Sequence, residues 1–385
     1  MNRREFLATT GAATVSVLWG AQPARAATGG YGNVLVLVEL QGGNDGLNTV
    51  IPFADPAYYA LRPQLAIARE QVLALDAATG LHPALQPLLA LWQAKELAIV
   101  QGVGYPEANL SHFRSIEIWD TASRSNEYLQ DGWLARSFKA APVPRNYAAD
   151  GVVVGSGAMG PFAGGARAVA ITNTEQFLRQ ARLAQPTAAA AGSGALAHIL
   201  NVEREVAQAA AGLSGAHTFS TVFPAGAFGN AVRTAAQVIA AQPGVAAVKI
   251  SLGGFDTHRG QLATHARLLQ ELAAGLVALK AALLELQRWD SALVMTYSEF
   301  GRRAAQNSSG GTDHGTAAAH FAMGGRVRGG WYGRPPDLAR LDRNGNLAHA
   351  VDFRDLYATV LAGWWGVPAE QALGGRFQPV GFVRT

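Results

Sequence analysis

Four runs of almost continuous aliphatic residues divide the chain: NVLVLVEL (33–40), ELAIVQGV (96–103), VAAVKISL (245–252) and SALVMTYS (291–298). Runs that do not alternate apolar and polar positions suit strands covered on both faces, as in a parallel sheet. Between them apolar positions recur at helical spacing, in ALQPLLALWQAK (84–95), HARLLQELAAGLVALKAALLELQRW (265–289) and FRDLYATVLAGWW (353–365). Strand and helix alternating in this way predict an α/β fold, a doubly wound, mostly parallel sheet with helices on both faces. The glycine-rich residues 151–171 read as a β-hairpin and the alanine-rich residues 174–243 as helical, which together predict an insertion at about 145–244. Within it, QPTAAAAGSGA (185–195) reads as a flexible link.

The start of the chain has a different pattern. NRREFL (2–7) is a twin-arginine signature, followed by the weakly apolar LATTGAATVSVLWGA and by Ala24-Arg25-Ala26 as a cleavage site. Residues 1–26 therefore read as a twin-arginine signal peptide and 27–385 as the mature domain, periplasmic or secreted. The leader's apolar stretch is diluted with Thr, Ser and Gly and falls short of the about 20 apolar residues of a spanning helix, so no stable membrane anchor is expected after cleavage. Losing Arg3, Arg4, Arg25 and Glu5 with the leader lowers the formal charge from +4 to about +2. The remaining arginines are scattered, without a basic run or interleaved aromatics, which argues against a nucleic-acid partner. The chain has no cysteine, so disulfides and thiolate metal sites are excluded, and a metal would have to sit on His, Asp, Glu, Ser or Thr.

Ligands of doubly wound sheets bind beyond the carboxyl ends of the strands. After the first run comes QGGNDGLNT, with Asn44 and Asp45; after the second, GYPEANLSHFRS, with Ser111 and His112 opening a helix. After the third comes GGFDTHRG, with Asp256 and His258; after the fourth, Glu299, Arg302, Arg303 and then Asp313 and His314. Each has a plain structural alternative: Asp45 as a turn former, Ser111 and Asp256 as helix caps, the arginines as ion-pair partners, His314 as a core histidine. All four strand ends carrying such groups is harder to explain that way. In extended backbone, residues two apart face the same side, so Asp256 and His258 can offer an oxygen and a nitrogen to one ion, whereas on a helix they would diverge by roughly 200°. Carboxylates at 45 and 299 add oxygen ligands.

The segments LVELQGGNDGLNTVIPFADPAYYALRP, LSHFRSIEIWDTAS, LGGFDTHRGQ and YSEFGRRAAQNSSGGTDHGTAA, behind a twin-arginine leader, resemble an uncharacterised family of exported bacterial proteins grouped with the alkaline phosphatase and sulfatase superfamily. The resemblance spans nearly the whole mature chain and implies an alkaline phosphatase-like fold and one or two divalent ions, Zn²⁺ foremost, with Mn²⁺, Mg²⁺ or Ca²⁺ as alternatives. It further implies that Asp45 and Glu299 hold one ion beside a Ser111 nucleophile, while Asp256, His258 and His314 hold the other. Asp313 would orient His314. Arg302 and Asn44 would grip the oxygens of a small anionic ester. The D-T-H spacing is tighter than the superfamily's, and Ser298-Glu299 stands where an Asp-His pair is common. Two functions are therefore expected as alternatives: a metal-dependent phosphate or sulfate ester hydrolase, or an exported binding or assembly protein with a degenerate or single-metal site. A nucleotide-binding reading fits poorly, because GGNDG lacks the G-x-G-x-x-G order.

Overall fold

Among the described residues nine strands build one sheet: β1 (Val34–Gln41), β2 (Leu97–Gly104), β3 (Ala149–Val154), β4 (Ala168–Ile171), β5 (Val245–Gly253), β6 (Ala292–Tyr297), β7 (Ala318–Met323), β8 (Gly330–Gly333) and β9 (Val351–Asp352). The structure, a computed structural model, describes residues 30–172, 217–241 and 244–384. The expected signal peptide, the 185–195 link and most of the expected helical stretch lie outside the described residues. The order across the sheet is β8-β2-β7-β6-β1-β5-β3-β4, with β9 also on β2. Every pairing is parallel except those of β7, which runs antiparallel between β2 and β6.

The aliphatic runs are buried on both faces because each face has its own helical layer. Val34, Val36, Val38 and Leu40 of β1 pack toward Phe228 and Val232 of α3 and Leu268 and Leu272 of α4. Leu35 and Leu37 point the other way, toward Ile118 and Trp119 of α1, Trp133 of α2 and Tyr357 of α5. These helices are α1 (His112–Thr121), α2 (Trp133–Ala140), α3 (Ala227–Ala240), α4 (Gln261–Glu285) and α5 (Phe353–Ala358). Among the described residues no helix is long and apolar enough to cross a membrane.

Two local expectations change. Residues 151–171 form no hairpin: β3 and β4 pair in parallel, Gly151 opposite Ala168, and extend the main sheet. Parallel neighbours need a crossover, and 155–167 supplies one around a short 3-10 turn at Gly160–Phe162. The 84–95 helix starts as a 3-10 stretch, Pro83–Leu88, because Pro87 has no N–H to donate, and becomes α-helical only over Leu89–Gln93.

The direction of β7 decides what reaches the functional edge. A parallel strand delivers the residues that follow it to that edge, whereas an antiparallel strand delivers those that precede it. His314 stands before β7, in a two-residue bridge pairing Gly301–Arg302 with His314–Gly315. It thereby meets the residues that follow β2, β5 and β6.

Candidate metal centre

Three imidazoles and one carboxylate converge here. Nε2 of His314 lies 3.1 Å from Asp256 Oδ1 and 2.9 Å from Nε2 of His258. Nε2 of His258 lies 3.1 Å from the same Asp256 oxygen, and Nε2 of His112 lies 3.5 Å from the other. A tetrahedral ion bound at about 2.0–2.1 Å spaces its ligands roughly 3.3 Å apart, and these separations bracket that value.

Each imidazole is also fixed from behind through Nδ1. His314 Nδ1 faces the Leu110 carbonyl at 2.8 Å, His112 Nδ1 faces Glu299 Oε1 at 2.9 Å, and His258 Nδ1 faces Asp313 Oδ1 at 3.4 Å. Carbonyl and carboxylate oxygens only accept, so an Nδ1 hydrogen satisfies each of these contacts, while Nε2 of His258 and His314 meets the Asp256 carboxylate as a donor when it carries a proton and offers a lone pair once that proton is lost. The Nε2 atoms of His258 and His314 lie 2.9 Å apart, a separation that requires a proton or a cation between them. This arrangement, with outer acceptors setting the tautomer, is how proteins prepare histidines for metal.

Electrostatics act on two of these groups, Asp256 and His314. Burial raises the Asp256 carboxyl, but hydrogen bonds from Arg302 and His314 outweigh it and bring its pKa down to about 2. Burial lowers the His314 pKa against the opposing pull of Leu110 and Asp256, which favours the neutral ring a metal requires.

The structure thus brings together Asp256, His258 and His314. It adds His112, which the sequence presented only as the neighbour of Ser111. The signal was there: His112 opens a helix directly beyond a strand, as a strand-end ligand would. Ser111 is exposed, its side chain makes no capping bond, and its N–H donates to Asn109 Oδ1 at 2.9 Å. It sits between the carbonyl that orients His314 and the ring of His112.

Other expected residues are placed differently. Glu299 stands behind His112, its Oε1 also accepting from the Gly42 N–H at 2.8 Å, while Oε2 is buried without a protein partner. Asp313 backs His258 rather than His314. Asn44 is sealed inside, bonded to Thr49 and to His265 Nε2 at 2.9 Å, with no face toward an ester. Arg302 is also unavailable to an ester. It donates to the carbonyls of Gly42, Gly43, Thr312 and Phe255, and to Asp256 Oδ1 at 2.7 Å, so it staples the strand-end loops together. On extended backbone the next residue points the opposite way, so the half-exposed arginine is Arg303.

Asp45 is the clearest correction. Its Oδ1 accepts the N–H groups of Leu47 at 3.1 Å and Asn48 at 3.4 Å, and its Oδ2 accepts Arg62 Nη1 at 2.6 Å and the Gln261 amide. A carboxylate has about four lone-pair directions, and all are taken. Asp45 is a helix cap and the counter-ion of a buried arginine.

Fold and cluster together describe a layered α/β protein with a histidine–carboxylate centre suited to a divalent ion. Residues 66–372 match the family described as Protein of unknown function (DUF1501), and the chain belongs to that family. No curated protein matches it in sequence. Among solved structures it is similar to a protein in the alkaline phosphatase superfamily from Vibrio parahaemolyticus, with 12% identity, TM-score 0.42, and coverage of 89% of this chain and 69% of that one. It is also similar to the soluble domain of lipooligosaccharide phosphoethanolamine transferase A from Neisseria meningitidis, with 11% identity, TM-score 0.42 and coverage of 92% and 94%. The lipoteichoic acid synthase LtaP from Listeria monocytogenes matches at 9% identity, TM-score 0.40 and coverage of 91% and 76%. At identities this low the side chains of a site are free to differ even where layers agree.

Proposed function

We propose that this chain is a metal-dependent hydrolase of a phosphate, sulfate or related ester, working at His112, Asp256, His258 and His314. The observation that carries this reading is the convergence of three Nε2 atoms on Asp256, each ring fixed from behind. A divalent ion held by this set, Zn²⁺ foremost, would supply a Lewis acid for an ester oxygen. Ser111 is the nucleophile in this reading, exposed at the N-terminus of α1, where the helix dipole favours developing negative charge. Ser111→Ala should abolish turnover of phosphate and sulfate esters, by several orders of magnitude, while metal content stays at the wild-type level. Full activity in that variant would remove Ser111 from the mechanism. No activity in the wild type with Zn²⁺, Mn²⁺, Mg²⁺ or Ca²⁺ would favour the second reading, an exported binding protein. That reading draws support from Asp45, whose carboxylate has no room for an ion. In either case the leader read at residues 1–26 would direct the protein out of the cytoplasm. Precursor of an Arg3→Lys/Arg4→Lys variant should then accumulate inside the cell, and normal export would refute that reading.

A further inference from the structure

We infer that the centre takes a single divalent ion per chain and that the guanidinium of Arg62 is a permanent, built-in cation at the neighbouring strand end, where Asp45 would otherwise invite a second. This inference rests on the proposed function. Two observations carry it. Among the described residues, one group of three or more metal-type side chains has ligand atoms all within 4.8 Å of one another, His112, Asp256 and His314; His258 adjoins it through Asp256 and His314, and Asp45 has no contact with it. Independently, the Asp45 carboxylate is saturated by protein donors.

Arg62 is built in rather than resting there. Nε donates to the Ala304 carbonyl at 2.8 Å, Nη1 to Asp45 and to Asn48 Oδ1 at 2.9 Å, and Nη2 to the Arg303 carbonyl at 2.9 Å. Its side chain is 0% exposed and that of Asp45 is 1% exposed, so neither can swing out to exchange the guanidinium for an ion from solution. Gln261 seals the remaining side. Its amide nitrogen donates to Asp45, while its oxygen accepts from Thr257 Oγ1 at 3.1 Å and Thr312 Oγ1 at 2.7 Å. Both threonines neighbour the metal-type residues, at 257 beside His258 and at 312 beside Asp313. The two strand ends are therefore locked side by side, one prepared for an exchangeable cation and one filled by a fixed cation. A guanidinium offers charge without Lewis acidity, so Arg62 can shape the field at the strand ends but cannot ligate an oxygen.

The test is a metal count on protein purified without chelator and equilibrated with excess Zn²⁺, by elemental analysis and native mass spectrometry. One ion per chain is expected, lost in Asp256→Ala and retained in the double variant Asp45→Asn/Arg62→Met, which removes both buried charges together. Two ions in the wild type, or loss of the ion from a folded Asp45→Asn/Arg62→Met protein, would overturn the inference. The wild-type count decides the matter even where the double variant does not fold. Zero ions would defeat the proposed function itself, and this inference with it.

Discussion

The turns after β1 and β5 look alike in sequence, GGNDG and GGFDTHRG, each an aspartate behind a glycine pair. In the fold they are opposites. Around Asp45, hydrogen-bond donors outnumber free acceptors: two backbone N–H groups, a guanidinium and an amide surround one buried carboxylate. Around Asp256 the balance is reversed. Three imidazole Nε2 atoms face a carboxylate that is itself 45% exposed, with His258 at 40% and His112 at 35%. The first turn is sealed around its ion pair with Arg62, whereas the second, although Arg302 already pairs with Asp256, leaves imidazole and carboxylate atoms open to solvent where a further cation fits. Burial and the count of donors separate a structural aspartate from a ligand.

The contrast is most severely tested by Arg62→Ala. Removing the guanidinium leaves the Asp45 carboxylate buried and uncompensated, a change that costs about 3–5 kcal/mol in comparable pairs. Denaturant unfolding should show it, and a cost below about 1 kcal/mol, as for an exposed ion pair, would mean the turn is open after all.

A smaller effect separates the regions by pH. His82 and His265 lie on the Asp45 side, His265 bonded to Asn44 and its ring 6.1 Å from that of His82. Burial lowers both pKa values to about 4. Well above pH 6.5 both rings are neutral in folded and unfolded chains alike. As pH falls below that value the unfolded chain binds protons that the folded one refuses, so stability is lost until the folded rings titrate near 4. The loss is roughly 1.4 kcal/mol per pH unit for each histidine. Urea unfolding between pH 7 and 4.5 should show this slope reduced in His265→Gln. An unchanged slope would mean that ring is not held neutral.

Much of this architecture could be read before any coordinates. The four aliphatic runs define buried strands because both faces of a central parallel sheet must be apolar, and the D-x-H spacing places two donors together because extended backbone repeats every two residues. What could not be read was the identity of distant partners. Nothing local to Asp45 announces Arg62 or Gln261, and Arg302 and Arg303 look equivalent until the 301–302 bridge turns one inward and the other outward. The same holds for Glu299, which belongs to the centre only through His112. The short alanine-rich β7 gave no sign of its reversed direction, although that direction is what carries His314 to the edge.

The position of β7 also bears on the order in which the protein is completed. β2 and β6 do not pair with each other, and the strand between them comes later in the chain than either. The start of α1, with His112, and the strand end leading to Glu299 are thus held at their separation by a late arrival, through long-range pairings such as Phe321 with Ile99 and Met323 with Val294. Contacts of such sequence separation form slowly, because the intervening chain must first be confined. A ribosome releases residues 112, 256 and 258 well before 314 and the strand that follows it. The side chains of His112, Asp256, His258 and His314 therefore come together only once β7 has been inserted between β2 and β6, after nearly the whole sheet has been synthesised.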